Sequence, residues 1–160
     1  MNVLDKDRLR IFELRELAKE IAEPYIMFPE EVPSVKFINA NRLIYGYYDR
    51  YDNVITVNPI WNGVDTRQIS YTFLHEFVHY IQIREFNGEL PQDSHDWNFL
   101  KKLYSLIKKY GIKYHYYLLI EEVLFYRFKL PRELVQNFFS KYLRINYTIS
   151  MEEHYGKEWT

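Results

Sequence analysis

Leu14, Leu17, Ala18 and Ile21 recur three or four residues apart, the spacing that puts them on one face of a helix. Asp5 or Asp7 can cap that helix, and Pro24 stands just beyond its end. Residues 25–33 hold Pro29 and Pro33 and read as a loop. The pattern then shortens to alternation. Residues 35–38, 42–49 and 53–58 are strand candidates. In the third, Val54, Thr56 and Asn58 share one face, while Ile55 and Val57 share the other. The polar stretch 49–53 suits a hairpin turn, and Pro59 stops the third strand.

From there the helical period returns. Asp65 or Thr66 can cap a long helix to about Phe86, which Asn87-Gly88 ends. Asp93 and Ser94 are capping candidates for a helix to about Tyr110, closed by Gly111. Residues 112–130 are long and apolar and read as a helix. Pro131 fits the first turn of another, to about Leu143. Ser150-Met151-Glu152-Glu153 has capping-box spacing. The expectation is one α+β domain over residues 1–160, a short twisted sheet of about three strands packed with helices. Residues 35–110 would form its core and 111–160 its C-terminal helices. No repeat or Pro/Gly/Ser-rich linker divides the chain.

Composition narrows the chemistry. The absence of cysteine excludes disulfides, thiol catalysis and a Cys-based zinc ribbon. Aromatic residues reach 19%, with 16 Tyr and 11 Phe, which serve core and rim packing. The first ten residues carry no apolar leader, and no apolar run reaches membrane-span length. The expectation is therefore a soluble intracellular protein without a membrane partner. The net charge of −1 is unevenly spread. Residues 1–100 carry 10 basic against 16 acidic side chains, and residues 101–146 carry 10 against 3. A basic second half can attract nucleic acid. Its lysines and arginines are dispersed, however, which suits solvated helix faces.

His75-Glu76-Phe77-Val78-His79 is an H-E-x-x-H motif inside the longest helical segment. Positions i and i+4 lie on one helix face, so two imidazoles can reach one metal ion. Glu76 then stands beside the metal as the general base. Two surface histidines with an unrelated glutamate are the bland alternative. A catalytic zinc takes three protein ligands and keeps one position open. His95 is the leading candidate for the third. Glu121 and Glu122 are rivals, because a carboxylate in an apolar run needs a reason to be there. Asp96 is a minor competitor, and His115 and His154 read as ordinary polar or partly buried histidines. Tyr114, His115 and Tyr117 are possible donors to an oxyanion.

The hairpin YGYYDRYDNVITVNP and HEFVHYIQ, followed by His95-Asp96-Trp97-Asn98-Phe99, resemble the SprT-like (Spartan-type) zinc metallopeptidases over residues 35–110. That resemblance implies a zincin-like fold with H-E-x-x-H on the central helix. It also implies one zinc on His75, His79 and His95, with an aromatic four residues after the third histidine. In the family a glycine usually follows that histidine; here Asp96 does. Several members carry a cysteine ribbon, absent here, which removes one support for a DNA–protein crosslink repair role. The segments RQISYTFLHEFVHYI and LPRELV are similar to ImmA/IrrE-like peptidases and minimal gluzincins. Their third ligand is acidic, which would select Glu121 or Glu122. By resemblance to other zincins, Ile55, Thr56, Val57 and Asn58 would be a sheet edge for an extended substrate.

The leading expectation is hydrolysis of a protein or peptide substrate with zinc as cofactor. A zinc-bearing binding module without catalysis is the competing class, and Glu76 argues against it, since a structural site needs no carboxylate there. A nucleic-acid binder working through residues 101–146 is the third.

Overall fold

The computed structural model describes residues 3–38, 45–59 and 66–143. Among these, five α-helices surround a three-stranded mixed sheet, an α+β arrangement. The first helix, α1 (Val3–Ala22), buries Leu14, Ala18 and Ile21, with Leu17 packed at the rim of the same core. The loop expected at 25–33 contains one 3₁₀ turn, Pro29–Glu31, and another, Glu23–Tyr25, ends at its first residue. The capping side chains Asp5, Asp7 and Asp65, strand positions 42–44, the 150–153 box and His154 lie outside what is described.

Strands β1 (Ser34–Phe37), β2 (Gly46–Asp49) and β3 (Val54–Val57) pair in the order β1-β3-β2. β1 runs parallel to β3, and β2 closes the expected hairpin antiparallel to it. Asn53 turns that hairpin at φ 54°, a left-handed conformation that asparagine tolerates. This order corrects the assignment of Ile55, Thr56, Val57 and Asn58 as a sheet edge. β3 is the central strand, bonded on both sides, and all four side chains are buried. Its backbone has no row of groups left for an added strand.

Helix α2 (Thr66–Glu85) is the hub, in contact with α1, α3, β2 and β3. Phe73, Leu74, Phe77, Tyr80 and Ile81 are among its fully buried side chains, and they meet Val35, Ile55, Val57, Phe99 and Leu103 in one core. Gly88, at φ 93°, stops α2 as expected, its N–H donating to Ile83 O. Helix α3 (Trp97–Lys109) starts later than Asp93 or Ser94 would have it. Asp96 is its cap, accepting from Phe99 N at 2.9 Å, and Asp93 Oδ1 takes the His95 N–H instead.

The apolar stretch 112–130 is not one helix. Gly111, at φ 60°, ends α3, and residues 112–115 run irregularly across the core edge. Helix α4 (Tyr116–Glu122) follows and widens into a π-helical turn, Val123–Arg127, with Phe128 N donating to Val123 O. Pro131 is the residue that precedes α5 (Arg132–Tyr142), one position outside it. None of the described helices is long and apolar enough to cross a membrane.

Gly46 allows β2 to lie against α2. A Cβ there would stand 2.7 Å from Thr56 O and 2.9 Å from Thr72 Cγ2, with Glu76 Cγ beyond at 3.6 Å. Main chain cannot yield as a flexible side chain does. Gly46→Ala should therefore destabilise the protein by about 1–3 kcal/mol, the usual scale of overpacking. Urea unfolding measures this, and an unchanged midpoint would show that the strand has room to move.

Candidate metal centre

Helix α2 delivers His75 and His79 one turn apart on one face, and the segment between α2 and α3 brings His95 over them. One ligand nitrogen from each of the three lies within 4.8 Å of the others. His75 Nε2 and His95 Nε2 are 3.1 Å apart. Tetrahedral zinc with nitrogens at about 2.0–2.1 Å needs an edge of about 3.3 Å. Phe99 forms the floor, its ring centroid 4.8 Å from His75 and 4.9 Å from both His79 and His95.

The ring orientations follow from the acceptors behind them. Glu122 Oε1 lies 2.5 Å from His75 Nδ1, and a carboxylate can only accept, so that nitrogen carries the proton. Gln82 donates from Nε2 to Ser94 O at 2.9 Å, which turns its Oε1 toward His79 Nδ1 at 2.8 Å. His79 Nδ1 is therefore the donor. Both rings keep Nε2 for the cluster, the arrangement found when a carboxylate or carbonyl orients a metal-binding histidine. Glu122 stands behind His75, on the nitrogen turned away from His95, and the converging set is His75, His79 and His95. Glu121 is buried too, where it feels the charges of Arg132 and Glu122.

The electrostatics favour a cation. Two nitrogens 3.1 Å apart need a proton or a metal between them. Burial alone would lower His75, but the carboxylates of Glu122 and Glu76 outweigh it and hold its pKa at about 9. Burial and the charge of His75 hold His79 down at about 4 and His95 at about 3. A cluster flanked by two buried carboxylates thus favours positive charge, which a proton or a metal ion can supply. These residues fit a metal ion by number, donor type and charge.

Glu76 lies beside the cluster. Its Oε1 is 4.0 Å from His75 Nε2, and its carboxylate accepts from the Tyr48 backbone N–H of β2. Burial raises its pKa, while the charge of His75 acts against that.

No family model, curated protein or solved structure matches this chain.

The donors considered for an oxyanion pack against other aromatic rings. His115 and Tyr117 stack on each other, Tyr117 meets Phe139, and Tyr114 stacks on Tyr71. Sequence reasoning missed Tyr126, whose ring lies flat on His95 at 4.0 Å and 6°. It also missed Arg127, which donates to His95 O and to Asp93. A π-turn gives no sequence signature, so only the helical stretch around both residues was visible.

Replacing His95 with alanine should weaken binding of a divalent ion well beyond the about 10–100-fold expected of Glu122→Gln, which keeps all three histidines. Chelator competition with zinc measures both. Retention in His95→Ala with loss in Glu122→Gln would make the carboxylate the ligand.

Proposed function

We propose that this chain is a zinc-dependent peptidase of the SprT-like kind, with a zincin-like arrangement around α2. The carrying observation is the convergence of three Nε2-presenting histidines with the Glu76 carboxylate 4.0 Å from one of them. Three neutral imidazoles with an open fourth position are the donor set of a catalytic zinc. A structural site would not require a buried carboxylate that is not a ligand. The resemblance gains support from Phe99, four residues after His95, whose ring touches all three histidines. Asp96, where the family usually has glycine, caps α3.

Zinc held there supplies Lewis acidity toward water and the substrate carbonyl. The rest of the chemistry belongs to the chain. Glu76 takes the proton of the attacking water, whose oxygen bonds to the carbonyl carbon. It delivers that proton to the amine as the C–N bond breaks. Burial suits it to this exchange by raising its pKa above that of an exposed glutamate. An extended substrate would lie along β2 rather than β3. Asn58 N donates to Tyr45 O, so by antiparallel alternation the main-chain groups of Gly46 and Tyr48 face away from β3. Tyr48 directs its N–H to Glu76, so this edge passes the general base.

A nucleic-acid partner for residues 101–146 is supported by charge alone. Lys102 pairs with Glu85, and Lys108, Lys109, Arg132 and Lys141 each lie over an aromatic ring.

Glu76→Gln should lower kcat on an unfolded protein substrate by about 10²–10⁴-fold while zinc affinity stays within a few-fold. Assays of zinc-loaded wild type and variant, with and without DNA, test this. No hydrolysis by wild type under any of these conditions sinks the peptidase reading.

A further inference from the structure

His95 differs from the other two histidines in how it is held. His75 and His79 are fixed by the α2 backbone and by side-chain acceptors at 2.5 and 2.8 Å. His95 lies one residue before the Asp96 cap of α3, and its Nδ1 meets Ser94 Oγ at 3.4 Å, at the limit of a hydrogen bond. A long ring on an irregular segment needs other restraints to meet two nitrogens on a helix.

Those restraints come from about thirty residues further along the chain. The Tyr126 ring covers the His95 imidazole in a parallel stack at 4.0 Å. The next residue, Arg127, donates from one guanidinium nitrogen to His95 O at 3.3 Å and to Asp93 Oδ2 at 2.5 Å. Asp93 closes the loop by accepting the His95 N–H at 3.2 Å through its other oxygen. Ring, carbonyl and amide of one residue are thus all held, directly or through Asp93, by two consecutive side chains. An α-helix would turn successive side chains about 100° apart. The π-turn Val123–Arg127 changes that course where both must reach the same histidine.

We propose that Tyr126 and Arg127 are positioning residues for His95, so that the third metal-binding nitrogen is in place only while the π-turn is docked. The inference rests on the reading of the three histidines as a metal site, and it makes a segment that supplies no ligand a determinant of metal affinity. By linkage, metal bound at the histidines stabilises the docked turn.

Zinc affinity of the full chain, by chelator competition, tests this, with thermal unfolding as a check on folding. Arg127→Met and Tyr126→Leu should each weaken zinc by about 10–100-fold. Tyr126→Phe keeps the stack and should stay within about twofold of wild type. In a His95→Ala background, Arg127→Met should cause no further loss of the weaker binding that remains, because its effect passes through His95. Should Arg127→Met fail to fold, Asp93→Asn removes the charge partner more gently and should weaken zinc in the same direction. Cobalt supplies a spectroscopic reading, since losing His95 from the coordination shell shifts the visible absorption. Zinc should also slow amide exchange in the π-turn. Full affinity in a folded Arg127→Met, or an equal loss with and without His95, overturns the proposal while leaving the metal site intact. A wild type that binds neither zinc nor cobalt overturns both.

Discussion

The bond between His75 Nδ1 and Glu122 Oε1 joins the two halves of this protein at the point where the chemistry is concentrated. It ties α2, the hub of the core, to the last residue of α4, 47 positions further along. A buried carboxylate is unfavourable unless it is paired. Glu122 has the imidazole on one oxygen, its other oxygen is buried without a hydrogen-bond partner among the described residues, and the Tyr71 hydroxyl feels its charge. Burial and the nearby carboxylates push the Tyr71 hydroxyl well above the ordinary tyrosine range, so it remains a donor at any working pH. The same bond fixes the tautomer of His75 and points its other nitrogen at the cluster. The C-terminal helices and the histidines are thereby joined through one buried contact.

The site is built from parts of graded rigidity. Glu76 and the first two histidines ride on a helix whose inner face is fully buried. The β2 strand comes close enough to Glu76 to donate a backbone N–H because residue 46 has no side chain. His95 is carried by an irregular segment and takes its place from Tyr126 and Arg127. Phe99 lies under all three rings, and because Asp96 caps the helix that carries it, the floor is fixed to the residue next to His95.

This arrangement explains why the chain carries charged and polar groups in its most apolar stretch. Glu121 and Glu122 are buried at the end of α4, and Arg127 leaves the π-turn to meet Asp93. In a purely structural helix each would need an isolated remedy. Here Glu122 and Arg127 converge on the histidines, and an irregular helical turn stands where two neighbouring side chains are needed at one residue.

The sequence by itself determined most of what depends on neighbours along the chain. The i, i+4 spacing of His75 and His79, the turn at Asn53, the stops at Gly88 and Gly111 and the buried face of α1 follow from local geometry. Each was legible as a pattern of residue types. His95 was legible as a candidate, but its convergence with His75 and His79, and the place of Glu122 on the far nitrogen of His75, show only in contacts across 20 and 47 residues. Strand order was likewise a tertiary decision. The alternation in residues 53–58 signals a strand but not its neighbours, and parallel pairing with β1 moved it from the edge to the centre. The break of 112–130 into a coil, a short helix and a π-turn had the same origin. Apolar composition suits all three, and the contacts of Glu122, Tyr126 and Arg127 with the distant histidines accompany the irregular form. Local rules cannot anticipate such choices, because the interactions that favour them exist only once the chain has closed on itself.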